Sequence, residues 1–228
     1  MNHPKLTILL VEDHQIVRKG IKALLELEED IIIVGEAENG NEAVVMAKKM
    51  KPDIIIMDIA LPLMNGIEAS RQIIKINPDQ KILILSAHAD DGYIEKAIEL
   101  GLSGFLVKQC LPAFLIETLH HISNGEKYFS PSILKRTQEL SEKHMDIRGR
   151  LCLKKPCSLT HREVQVLQLI AEGEGNKQIA HGLDISIKTV EKHRQNLMKK
   201  LSIHDTAGLT RYAISEGVIE NSKQKTTL

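Results

Sequence analysis

The chain has 228 residues, 43% of them apolar, with 30 Lys/Arg against 30 Asp/Glu, an ordinary balance for a globular protein of one or two domains. Trp is absent and aromatic residues make up only 3%, so the core has to be aliphatic; no apolar run reaches the roughly 18 residues of a membrane span, and the start, Met1-Asn-His-Pro-Lys5, has no signal-peptide core. The charge is uneven: residues 150–228 hold 13 Lys/Arg and 8 Asp/Glu, which leaves 17 and 22 for residues 1–149, an acidic part followed by one able to meet a polyanion.

Cys110, Cys152 and Cys157 are odd in number and form no CxxC, which fits a reducing, cytoplasmic setting and argues against a cysteine metal site. Leu6 to Val11 is an apolar run read as a strand, closed by Glu12-Asp13. Apolar residues at helical spacing (Val17, Ile21, Leu24, Leu25) predict a helix from His14 to Leu27. Ile31 to Ala37 is β-branched and predicts a second strand; Asn39-Gly40 is a turn and Glu42 to Met50 a helix. Ile54 to Met57, after Lys51-Pro52, reads as a buried strand that ends at Asp58. A helix from Ile67 to Ile76 stops at Asn77-Pro78. A strand from Lys81 to Leu85 ends at Ser86, and a helix from Asp91 to Leu100 has Gly101 as its closing residue. A strand from Gly104 to Val107 ends at Lys108, and a helix runs from Leu111 to Asn124.

Five strands alternating with five helices predict βαβ units and a five-stranded parallel sheet. Ligand sites in such sheets lie beyond the carboxyl ends of the strands. The residues there are Glu12-Asp13, Asp58, Ser86 and Lys108. Three carboxylates gathered in one cleft require a cation, and all-oxygen ligands suit Mg²⁺. Asp58 is then placed as a nucleophile towards phosphorus, with Ser86 and Lys108 able to meet phosphoryl oxygens. Gly66 permits a tight loop over the site, and small Ala87 leaves room. His14, His88, His120 and His121 read as surface or helix-face residues, and Met57 and Met64 as core filler.

Glu12-Asp13, Asp58 followed by Pro62 and Gly66, Ser86-Ala87, Lys108 and Phe105 together resemble the receiver domain of two-component response regulators over residues 5–125. The resemblance implies a flavodoxin-like fold, Mg²⁺ held by Glu12, Asp13 and Asp58, and phosphotransfer from a sensor histidine kinase to Asp58, with at most slow self-dephosphorylation. It also implies a switch through Ser86 and Phe105 to the face formed by the fourth helix, fifth strand and fifth helix. Two positions depart from the family pattern: Gln109-Cys110 stands where Pro often follows the Lys, and Leu61 where Met is usual.

Residues 126–157 lack strand signals and read as a linker, with a polar helix over Pro131 to Lys143 and a basic stretch from Arg148 to Pro156. From residue 158 to 221 the helical signals return. Thr160 and Glu163 form a capping box before a helix with Val164, Leu167, Ile170 and Ala171 on its apolar stripe. A short helix from Lys177 to Leu183, a turn at Asp184-Ile185-Ser186 and a helix to Leu201 make a helix-turn-helix, and Asp205 caps a last helix to Ser215. On a wheel of 100° per residue, Val190, Leu197 and Leu201 share one face. Lys188, Lys192, Gln195, Asn196 and Lys199, flanked by Glu191, occupy the other, a mixture of phosphate-seeking and base-reading groups.

Leu159-Thr160, Arg162-Glu163, Asn176-Lys177, Ile179-Ala180, Ile185-Ser186, Lys188-Thr189-Val190-Glu191, His193-Arg194, Asn196-Leu197 and Lys200-Leu201 resemble the LuxR-type helix-turn-helix, and the whole chain resembles the NarL/FixJ class of response regulators. That implies DNA contacts from Lys188, Thr189, Glu191, Lys192, His193 and Arg194, although the wheel sets His193 and Arg194 nearer the core. It also implies a homodimer on two-fold symmetric promoter DNA, joined through the last helix (Ala207, Leu209, Ala213, Ile214). Two other readings remain open: a DNA-binding regulator that works without phosphorylation, and an Asp-nucleophile phosphatase, which would need an acid two residues after Asp58, where the chain has Ala60.

Overall fold

The computed structural model describes residues 5–87, 91–110, 112, 114–129, 133 and 159–219. The chain divides into two compact units, Met1–Leu153 and Lys154–Leu228. In the first, β1 (Leu6–Val11), β2 (Ile31–Ala37), β3 (Ile54–Asp58), β4 (Lys81–Ser86), β5 (Gly104–Val107) and β6 (Tyr128–Phe129) alternate with α1 (Gln15–Leu25), α2 (Gly40–Met50), α3 (Gly66–Ile76), α4 (Asp91–Glu99) and α5 (Leu115–Ser123). The strands form one parallel sheet in the order β2-β1-β3-β4-β5-β6.

The sheet therefore has six strands where the sequence predicts five. The extra one, β6, pairs Tyr128 and Phe129 with Gly104 and Phe105. Two residues are too few to show any alternation, so the stretch reads as linker in the sequence. Ile133, a few residues on, is fully buried with the same core, so the beginning of the expected linker belongs to the first unit. The rest of the expected polar helix and the basic stretch from Arg148 to Pro156 lie outside the described residues.

Strand alternation sends side chains to two aliphatic layers. Leu9, Val11, Ile55, Met57, Ile82, Ile84 and Phe105 pack under α2, α3 and α4. Ile8, Leu10, Ile54, Ile56, Leu83 and Leu85 pack under α1 and α5. Both faces are covered, which is why the strands read as continuous apolar runs. Helix starts follow their caps: Asn39 accepts from Glu42 N–H and Asn65 from Glu68 N–H. Two predicted helix boundaries move inward. α1 stops at Leu25, leaving Leu27 77% exposed. A 3₁₀ turn over Lys108–Cys110 precedes α5, which begins at Leu115 rather than Leu111.

The second unit is helical: α6 (His161–Ala171), α7 (Asn176–Gly182), α8 (Ile187–Leu201) and α9 (Thr206–Ser215). Leu167, Ile170, Ile179, Val190, Leu197, Leu209 and Ala213 form its core. The capping box at Thr160 and Glu163 is present in both directions, and the Lys200 ammonium reaches Glu163 at 2.7 Å, tying the end of α8 to the start of α6. Arg162 donates to the carbonyl of Leu183 at 2.7 Å, which fixes the turn between α7 and α8. Leu209 and Ala213, expected at a dimer face, are instead fully buried in this core; of the four residues named for that face, Ala207 is exposed and Ile214 half-buried.

Candidate functional site: an acidic cleft and an exposed helix

The strand order reverses direction between β1 and β3, and the crevice beyond their carboxyl ends is where an α/β sheet of this kind opens. Register does the rest. Val11 lies opposite Met57, so the next residues along, Glu12 and Asp58, become neighbours. Asp58 lies opposite Leu85 and Ser86 opposite Val107, which sets Ser86 and Lys108 on the same edge.

Glu12 is 0% and Asp58 1% exposed. The Lys108 ammonium stands 2.8 Å from Glu12 Oε2 and 2.9 Å from Asp58 Oδ2, bridging two carboxylates that would otherwise repel. The ammonium serves Glu12 Oε2 and Asp58 Oδ2, while Asp58 Oδ1, equally buried, has no hydrogen-bond partner among the described residues. Burial pushes the Glu12 carboxyl above its ordinary range; the Asp58 charge adds to this, and Lys108 opposes it. Burial works the other way on Lys108, but Asp58 and Glu12 outweigh it and hold the ammonium above the usual lysine value. Asp13 stands at the mouth of the cleft with its side chain 29% exposed. Ser86 is buried at the end of β4, and Phe105 is buried in β5 beside Ile84.

The loop after β3 closes against the site. Gly66 N–H donates to the carbonyl of Ile59 at 2.9 Å, and a Cβ at Gly66 would lie 1.9 Å from the Asp58 carbonyl oxygen, so only glycine allows this approach. Leu63, in the same loop, has φ +66°, a conformation that side chains rarely adopt.

One residue of the site escapes sequence reasoning. Arg18 looks like a solvent-facing helix residue but is 8% exposed; it donates to the Glu12 carbonyl at 2.6 Å and pairs with Glu36 and Glu38, fixing the backbone of the acid pair. His14 lies at the surface, as expected, and its Nδ1 comes within 2.9 Å of Asp13 Oδ1. Its adjacency to Glu12-Asp13 was the available signal for that contact. The carboxylates of Glu12, Asp13 and Asp58 and the His14 ring each offer an atom, all within 4.8 Å of one another. A buried carboxylate oxygen without a hydrogen-bond donor, such as Asp58 Oδ1, is what a hard divalent cation satisfies.

In the second unit, Ser186 caps α8 by accepting from Thr189 N–H. Lys188, Glu191, Lys192, Gln195, Asn196 and Lys199 are exposed, and Val190 and Leu197 face the core. Thr189, His193 and Arg194 are half-buried; Thr189 Oγ1 lies 2.8 Å from Ser186 Oγ, and Arg194 donates to Thr206 Oγ1 at 3.3 Å. Among the described residues no helix is long and apolar enough to cross a membrane.

A parallel α/β unit with this acid cleft, joined to a helix-turn-helix, defines a class, and comparison with known proteins agrees with it. Residues 8–120 match the response regulator receiver domain, and residues 157–213 the bacterial regulatory proteins of the luxR family. The chain belongs to the response regulators of two-component systems that carry a LuxR-type DNA-binding domain, and so to the transcription regulators. Among its relatives, the transcriptional regulatory protein DegU of Brevibacillus brevis is 33% identical over 96% of this chain and 98% of that protein. The response regulator protein VraR of Staphylococcus aureus is 33% identical over 94% and 99%. A solved structure of RcsB from Salmonella enterica serovar Typhimurium, bound to a promoter in the presence of the phosphomimetic BeF₃⁻, is 26% identical with a TM-score of 0.59 over 92% of this chain and 98% of that one. Another holds two RcsB dimers on two parallel DNAs, at 25% identity and a TM-score of 0.57 over 93% and 98%.

Proposed function

We propose that Asp58 accepts a phosphoryl group from a phosphohistidine of a sensor kinase, and that this mark controls how a homodimer reads promoter DNA through α8. The observation that carries the first half is the pair of buried carboxylates, Glu12 and Asp58, sharing one ammonium and leaving Asp58 Oδ1 without a hydrogen-bond partner among the described residues. Glu12, Asp13 and Asp58 would hold Mg²⁺, which when bound supplies positive charge against the phosphoryl oxygens.

In the transfer, an Asp58 carboxylate oxygen forms the new P–O bond as the P–N bond of the donor breaks and the imidazole departs with the electron pair. Lys108 exchanges its contact with Asp58 for a phosphoryl oxygen. The Ser86 hydroxyl binds a second one, and the pull on β4 reaches Phe105 in the neighbouring strand. The result is a shift between two states of the first unit, worth a few kcal/mol. The chain acts as a phosphoacceptor with slow self-dephosphorylation rather than as a turnover enzyme; exposed Ala60 offers no acid two residues beyond Asp58.

In the second unit, exposed Lys188 and Lys192 meet phosphates, and Glu191 reaches base edges. Half-buried Thr189, His193 and Arg194 touch the backbone of the duplex. A regulator of this kind works in the cytoplasm, where kinase and promoter meet. Its domains are a receiver over 5–125 and a DNA-binding domain over 158–221. The test is to incubate the protein with Mg²⁺ and acetyl phosphate and to locate the acyl phosphate by borohydride reduction and peptide mass. A label on Asp58 that is lost in Asp58→Asn supports the reading; a label elsewhere, or none, overturns it.

A further inference from the structure

His14 occupies the N-cap of α1, where Ser, Asp or Asn would ordinarily accept a helix N–H, yet its side chain makes no capping hydrogen bond. The ring instead turns towards the acids. Its Nδ1 is 2.9 Å from Asp13 Oδ1 and 3.5 Å from Glu12 Oε1, and its backbone N–H donates to Glu12 Oε1 at 3.2 Å, so the residue is held to the cleft at two points. Around one octahedral ion with bonds near 2.1 Å, adjacent ligand atoms lie about 3.0 Å apart and opposite ones about 4.2 Å. The two ring distances fit adjacent positions, and the four-residue set spans 4.8 Å, within reach of a small side-chain adjustment. Asp58 belongs to the same set, and its buried Oδ1 has no hydrogen-bond partner among the described residues.

We infer that His14 Nδ1 is a direct ligand of the divalent ion in this cleft and biases it away from Mg²⁺ towards the first-row transition ions, of which Mn²⁺ is the weakest binder and the spectroscopic probe. This rests on reading the cleft as a divalent-cation site. An all-oxygen set suits Mg²⁺; one imidazole nitrogen moves the preference along the transition series, because nitrogen donors gain more with those ions. The ring is mostly exposed, so it stands at the mouth of the cleft and takes a position that solvent would otherwise fill. The competing role for the same contact is an Nδ1–H that donates to Asp13 and only orients it.

The two roles separate in titrations of the full chain with Mg²⁺ and with Mn²⁺, read by calorimetry, together with pulsed EPR of the Mn²⁺ form. The expected result is a nitrogen hyperfine coupling that excess Mg²⁺ displaces. In His14→Gln, which keeps a hydrogen-bond donor near Asp13 but offers no imidazole, that coupling disappears. The Mn²⁺ dissociation constant rises about tenfold while that for Mg²⁺ stays within about twofold. Mg²⁺ binding without nitrogen coupling, a coupling that survives excess Mg²⁺, or equal loss of both ions in His14→Gln overturns the proposal and leaves the cleft reading intact. Failure of the wild-type chain to bind either ion overturns both.

Discussion

Asp58 and Glu12 sit in low dielectric with one ammonium between them, an arrangement that stores unfavourable energy for later use. Replacing Asp58 by Asn removes a charge while Lys108 keeps Glu12 as its partner. The variant is expected to be more stable than wild type in metal-chelated buffer, by about 1 kcal/mol, because one of two buried carboxylates that share a single ammonium loses its charge. An unchanged or lower urea midpoint would show that the cleft holds no such strain. At this scale the sequence is informative wherever a polar residue interrupts an apolar run: Glu12, Asp13, Asp58, Ser86 and Lys108 are each visible as the residue that ends or follows a strand. Arg18 was not, because its role depends on where a long side chain turns at the start of a helix, and no spacing rule encodes that.

At the scale of elements, two glycines behave oppositely. Gly66 is pressed against the Asp58 carbonyl, and Gly66→Ala is expected to cost about 3 kcal/mol through overpacking. Gly20, inside α1, has nothing within 4 Å of a built Cβ, and Gly20→Ala is expected to add about 0.8 kcal/mol through helix propensity. Denaturant midpoints of the two variants should therefore move in opposite directions.

The α6–α8 tie is sensitive to acid. Burial raises the Glu163 carboxyl, but Lys200 and the Thr160 donors outweigh it and leave it below its ordinary value. A depressed carboxylate contributes stability that is present above its unfolded value, near pH 4.3, and is lost as pH falls through the folded one. The helical unit of wild type should lose stability on acidification below about pH 4.3, and Glu163→Gln should flatten that slope, read as helical circular dichroism in urea between pH 3 and 6. A slope unchanged in the variant would assign the acid sensitivity elsewhere. Elements with a cap and a long apolar period (α2, α3, α6, α8) were legible within two residues. β6 was not, since two residues carry no period, and the start of α5 was set too early because the apolar run Leu111-Pro112-Ala113-Phe114 precedes the helix without a break in the sequence pattern.

For the whole molecule, the split of charge fits a division of labour: an acidic unit with a carboxylate cluster suited to the proposed cation and a basic one of the DNA-binding family. Each lysine lost from a phosphate contact reduces the salt dependence of binding by about one unit in the log–log slope. Lys192→Ala should therefore weaken promoter binding and lower that slope; a change in affinity with the slope intact would place Lys192 away from phosphate. The two-domain order was readable from composition and motifs, and the two family matches fall on the two halves so defined. The buried dimer candidates Leu209 and Ala213 were misread because a helix that packs its own domain carries the same apolar stripe as one that pairs with a copy.

The central claim, that a mark on Asp58 is felt by α8, is tested most directly by measuring the affinity of the full chain for a selected promoter duplex with and without acetyl phosphate and Mg²⁺, in wild type and in Asp58→Asn. The expected result is a gain of about tenfold or more on phosphorylation in wild type, within the usual range of coupling between sites, and none in the variant. Equal affinity of wild type with and without the phosphoryl group would contradict the account.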